Sequence, residues 1–195
     1  TEMMHDDEGE LAAIGRTSLN SDSGDHSFIV RVNADTGDLL WARSYPSEFV
    51  RPIFNRIFSQ ARTGNYTIIG YTESPNSAIT VFDRDGLFLT IDKANGSIVT
   101  GPLRYQNNGV LRFNTAAYDR DNGRYYVLGN IDGGTTPGGL LNGTFLLTLD
   151  EVGSPLNNRL YNLQQVDSTF PVGIVKEEDE LIFAITAESS SPASH

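Results

Sequence analysis

Apolar residues along this chain come in short alternating runs cut by polar turns, and the runs repeat. Four segments start on a polar turn and pass into a strand-like run: Glu8 to Thr17, Thr63 to Thr72, Asn122 to Ile131 and Asp179 to Thr186. Successive side chains of an extended strand point to opposite faces, so this alternation predicts half-buried strands, and no segment shows helical spacing. Three of the segments hold a glycine pair at constant internal spacing: Gly9 with Gly15, Gly64 with Gly70, and Gly123 with Gly129.

A second signature follows in each copy, where a strand meets a tight turn and a further strand. It runs from Phe28 to Tyr45, from Leu87 through Val99 to Tyr105, and from Thr144 through Leu156 to Tyr161, with turn glycines at Gly37, Gly96 and Gly153. Both signatures report one period of about 57 residues, the size of a generous propeller blade. Each period divides into four short strands rich in β-branched and aromatic residues and bounded by Gly, Asn and Asp. The expected fold is all-β, with propeller-type blades: about three and a half four-stranded antiparallel repeats. They fall roughly at 1–50, 51–109, 110–167 and a partial 168–188, making one repeat domain over 1–188 with a Ser/Pro-containing tail at 189–195.

The alignment carries finer expectations. Ile14, Ile69 and Leu128 precede the second glycine in their copies and should share one buried layer, with Tyr125, Tyr126, Phe145 and Phe183 in the core. Asp85-Gly86 reads as a hairpin joining Ala78–Asp83 to Leu87–Ile91, and the insert from Asp132 to Gly143 reads as a flexible glycine-rich loop. The first copy should begin within or just before the hairpin of its second strand. The fourth should stop after its second strand near Ala187, leaving an unpaired strand and an open face of Leu181, Phe183 and Ile185 or their alternates. Three and a half repeats do not close a ring, so further blades of the same polypeptide or another copy of the chain are the expected partners.

Charge and composition narrow the function. The net charge of -11 opposes phosphate backbones, so nucleic acid is not an expected partner. No apolar run approaches the roughly 18 residues that a membrane-spanning helix needs, so no membrane insertion is expected, and the acidic first residues do not read as a signal peptide. The absence of cysteine removes disulfides and thiolate chemistry. His5, His26 and His195 stand alone, without metal-ligand spacing. Acidic turns at His5–Glu8, Asp83–Asp85, Asp119–Asp121 and Glu177–Glu180 offer oxygen ligands for calcium, but solvated hairpin turns explain them better; Asp119-Arg-Asp-Asn-Gly123 lacks the third carboxylate and downstream Glu of a calcium loop. Candidate glycosylation sites are Asn65, Asn95 and Asn142, each opening an Asn-x-Ser/Thr triplet. Trp41, Tyr45, Tyr71 and Tyr105 lie near strand ends and are candidate contact aromatics.

The stretch Val32-Asn-Ala-Asp-Thr-Gly-Asp-Leu-Leu-Trp-Ala-Arg43 resembles the blade motif of quinoprotein-like propellers, and Gly70-Tyr71-Thr72 resembles a strand end of extracellular bacterial propellers. The first resemblance implies quinone and calcium ligands on loops, to which no residue here corresponds. The expectation is a non-catalytic structural or interaction module of an exported or cell-surface protein, periplasmic location included, with no catalytic residues, metal or cofactor and with self-assembly as one role. The alternative is a carbohydrate-binding domain, or a quinone- or calcium-dependent enzyme, whose site lies on other blades or loops.

Overall fold

A computed structural model describes residues 2–18, 25–45, 51–75, 82–106, 110–136, 139–161 and 168–188. The described residues form fourteen strands and no helix: β1 (Glu2–His5), β2 (Leu11–Ser18), β3 (Asp25–Val32), β4 (Leu39–Tyr45), β5 (Pro52–Ser59), β6 (Tyr66–Pro75), β7 (Phe82–Ile91), β8 (Ile98–Tyr105), β9 (Val110–Asp119), β10 (Arg124–Thr136), β11 (Gly139–Asp150), β12 (Pro155–Tyr161), β13 (Ser168–Glu177) and β14 (Glu180–Glu188). They pair in chain order into three four-stranded antiparallel sheets, β1–β4, β5–β8 and β9–β12, and one two-stranded sheet, β13–β14.

Both glycine signatures have a physical cause, and the causes differ. Gly9, Gly64 and Gly123 take positive φ in the first turn of each sheet, as do Gly37, Gly96 and Gly153 in the third. The second member of each pair sits in a strand, where the lack of a side chain matters. A Cβ on Gly70 would lie 1.9 Å from the Ile53 carbonyl oxygen, and one on Gly129 would lie 2.1 Å from that of Arg112.

The sheets stack in order: β5 packs on β1, β2 and β3, β9 on β5, β6 and β7, and β13 on β9, β10 and β11. Strand alternation therefore feeds two layers at once. In β6, Ile68 enters the core between the first and second sheets while its neighbour Ile69 enters the core between the second and third. Ile14, Ile69 and Leu128 are each fully buried, one in each successive layer. The one shared layer expected from sequence is thus three layers, because each residue sits at an equivalent position of its own sheet and aims at the following sheet.

Three further expectations need correction. The first copy is not missing its first strand, because β1 pairs with β2 from Glu2 opposite Ile14 to His5 opposite Leu11. Asp85-Gly86 makes no hairpin: β7 runs straight through it, Gly86 lies opposite Tyr71 and Tyr105, and the Phe113 ring fills the space that a Cβ would take. Residues 78–81 of that reading lie outside the described residues. The glycine-rich insert is largely a hairpin extension, with Gly134, Thr135 and Thr136 opposite Leu141, Leu140 and Gly139 beyond a register shift. Glycine keeps its backbone donor and acceptor, so the ladder continues where the side-chain pattern fades. The tail at 189–195 also lies outside the described residues.

Candidate functional site

Among the described residues, charged side chains gather at the end of the stack where the first turn of one sheet meets the third turn of the next. At the first joint, Asp6 is fully engaged. Its Oδ1 accepts the backbone N–H groups of Glu8 (2.9 Å) and Glu10 (3.0 Å), and its Oδ2 accepts from Arg31 (Nη2, 2.9 Å) and from the Tyr66 hydroxyl (2.6 Å). Burial alone would raise the Asp6 carboxyl, but these donors together hold it below the ordinary carboxylate range. Lys93, on the third turn of the second sheet, reaches across to Asp7 (2.6 Å) and Glu8 (3.1 Å). The hydrogen bond from Lys93 depresses the Asp7 carboxyl, and that from Arg31 depresses Glu8. A shallow depression of about 330 Å³ beside this network is lined by Asp7, Glu8, Arg31, Asn65 and Lys93, among others.

The second joint repeats the design with the charges exchanged. Arg62, on the first turn of the second sheet, pairs with Glu151 (3.5 Å) on the third turn of the third sheet. Glu151 also accepts from the Tyr118 hydroxyl at 3.0 Å, and its backbone carbonyl accepts from Gln60 at 2.9 Å. Lys93 and Glu151 are equivalent: each follows the aspartate, Asp92 or Asp150, whose carbonyl accepts the turn glycine's N–H.

Three of the contact aromatics expected from sequence, Trp41, Tyr45 and Tyr105, take part in these joints. Tyr45 is buried and donates its hydroxyl to the Gly96 carbonyl at 2.8 Å. Tyr105 makes the equivalent bond to the Gly153 carbonyl. Trp41 donates its indole N–H to the Lys93 carbonyl at 2.8 Å. Tyr71 is half-buried under the Arg84 guanidinium, 5.9 Å from the ring centre. Among the glycosylation candidates, Asn95 is exposed on the third turn of the second sheet and Asn65 is half-buried beside the depression. Asn142 lies in β11 between the paired residues Leu141 and Gly143, and its side chain is outside the described residues. The Asp119 turn is closed by its own Asn122, whose backbone N–H and side-chain amide both donate to the Asp119 carboxylate. Among the described residues no group of three or more His, Asp or Glu converges as a metal site.

Neither a family model nor a curated protein matches this chain.

Two further surfaces complete the picture. A mostly apolar cleft of about 360 Å³ opens between the second and third sheets, lined by Tyr105, Gln106, Leu111, Phe145, Leu147 and Leu160 with four others. The two-stranded sheet presents the other surface. Its inner face sends Ile174, Leu181 and Phe183 against the third sheet, while Val172, Val175 and Ile182 are 58%, 55% and 53% exposed. The alternates of the expected open face are thus the exposed ones. At the opposite end of the stack Met3 is exposed, and Leu11, Ala13, Val30 and Val32 are half-buried on the first sheet's free face.

Sequence reading missed Arg31, Lys93 and the Arg62–Glu151 pair. The acidic turn at residues 5–8 was visible, but its cations stand up to 86 residues away in the chain. The one local signal was Arg31 itself, a charge set between Val30 and Val32 in the otherwise apolar run from Phe28 to Val32.

Proposed function

We propose that this chain is a non-catalytic structural and interaction module, its sheets the blades of a propeller-type repeat from an exported or cell-surface protein. It works by stacking sheet on sheet, and its partner is a further β-sheet of the same design. One observation carries the reading: the faces left open at the two ends are apolar on the same alternating plan as the faces buried between the sheets. Exposed apolar surface in contiguous strands marks an interaction site or an aggregation hazard, and an edge strand such as β14, paired on one side with β13 among the described residues, adds a template for pairing.

The test is the mass of residues 1–195 in solution across a concentration series, with binding of a hydrophobic dye followed in parallel. Association is expected, and Val175→Asp with Ile182→Asp should abolish it together with most dye binding. A parent chain that stays monomeric and binds no dye overturns the reading. The apolar cleft beside Tyr105 favours a second reading, a carbohydrate-binding or cofactor-dependent propeller domain. A saturable change in tyrosine fluorescence on adding oligosaccharides or a quinone, lost in Leu147→Trp, would favour it.

A further inference from the structure

The two joints within the chain obey one rule: the first turn of a sheet carries charge, and the third turn of the next sheet answers it with the opposite charge at a fixed position. Asp7 and Glu8 are met by Lys93, and Arg62 is met by Glu151. The fixed position is set by the turn itself. In all three complete sheets an Asn or Asp accepts the turn glycine's N–H (Gly37 to Asn33, Gly96 to Asp92, Gly153 to Asp150), and the next residue is Ala34, Lys93 or Glu151.

The fourth sheet offers the acidic half of such a joint on a shorter turn, with Glu177 opposite Glu180 where the first sheet has His5 opposite Leu11. Its first turn is Glu177-Glu178-Asp179-Glu180, all four side chains exposed, the counterpart of the acidic turn that Lys93 answers. Above the turn lies the apolar surface of Val172, Val175 and Ile182. Seating a following sheet needs little more, since β13 itself makes its contacts to the third sheet through β9, β10 and β11. The obvious occupant would be the first sheet of a second copy, whose free face is also apolar. Its third turn, however, presents Ala34 where Lys93 stands, flanked by exposed Asp35 and Asp38. Acid would then face acid at the rim. Like charges brought together in this way oppose a wrong partner, while apolar area supplies the attraction for any partner.

We propose that the open face of the fourth sheet docks a further four-stranded β-sheet carrying Lys or Arg at the Lys93 position of its third turn, and disfavours the chain's own first sheet. The inference rests on the stacking function proposed above. It assigns the rim charges a role in choosing the order in which sheets stack, and leaves the strength of stacking to the apolar faces.

A surrogate for the basic-turn partner is the chain itself with Ala34→Lys. Sedimentation equilibrium in low salt should show head-to-tail association tightened about tenfold over the parent, the gain falling away in high salt as the rim pairs are screened. The same gain should vanish when Glu178→Lys and Asp179→Lys are added, because the acidic turn is what the new lysine answers. Ser97→Lys, which makes the same charge change on the second sheet's turn, should leave association at the parental level. If Ala34→Lys and Ser97→Lys tighten association equally, only net charge matters and the inference falls. If Ala34→Lys does nothing while Val175→Asp with Ile182→Asp still abolishes association, stacking stands and the charge rule falls alone. If no variant associates, both fall together.

Discussion

Turn glycines with the same left-handed backbone differ in what they tolerate. Gly9 has φ +84° with open space where a Cβ would go, so Gly9→Ala pays only for the left-handed backbone, about 1–2 kcal/mol. Gly153 has φ +88°, and a Cβ there would also lie 2.7 Å from the Phe88 ring, so Gly153→Ala should lose clearly more in denaturant unfolding. Ile69→Ala, at a fully buried site between two sheets, should cost about 2–5 kcal/mol. A loss near zero would mean that the repeats are misaligned. Titration adds a second residue-scale expectation. Asp6, Asp7 and Glu8 have folded values below their unfolded ones, so their contribution is present above the ordinary carboxylate range and is lost as pH falls through the depressed values. Tyr45, Tyr66, Tyr105 and Tyr125 are shifted upward, chiefly by burial, so their contribution is present below about pH 10 and is lost as pH rises beyond it. Melting temperature against pH should therefore fall at both ends. Asp6→Asn should flatten the acid limb and leave the alkaline one in place.

At the scale of elements, the fourth strand of a four-stranded sheet pairs within its own sheet and also reaches into the next. β4 and β8 lie at sheet edges, yet Tyr45 and Tyr105 near their ends donate into the neighbouring third turn. Tyr161 ends β12 in the same way, and the neighbour that its ring meets is Phe183 of the two-stranded sheet, at 5.3 Å. Tyr105→Phe should remove one inter-sheet hydrogen bond and cost about 1–2 kcal/mol, since the Gly153 carbonyl loses its donor. Tyr161→Phe should cost much less. Equal losses at the two sites would show that the hydroxyls do not bind the joints. The third turn is in this sense common to both joints between four-stranded sheets, whereas β13–β14, with no third turn among the described residues, meets the third sheet through β13.

For the whole molecule, stability comes from layers between sheets, so a partner on an open face adds to stability by the same means as an internal sheet. Calcium enters this account nowhere: chelation should leave the melting temperature unchanged. A fall of several degrees would move the Asp119 turn from a self-closed turn to an ion site held with Asp121 and Asn122. Measured alongside the association series, this separates two sources of stability, a bound ion and a bound sheet.

Alternation and the two glycine signatures were enough to read strands, turns, the four-strand repeat and the buried positions Ile14, Ile69 and Leu128. Those features follow from local rules, because strand period, turn φ and burial leave their marks on neighbouring residues. Asp85-Gly86 shows where local rules stop: the same pair of residues makes a hairpin or a straight strand, and here the Phe113 ring from the next sheet decides. The charged joints show it again. Asp7 and Lys93 meet only because two sheets stack in register, and no spacing along one chain encodes which of many surface charges will face each other. Sequence thus determined what each sheet is, and tertiary packing decided which residues of one sheet recognise the next.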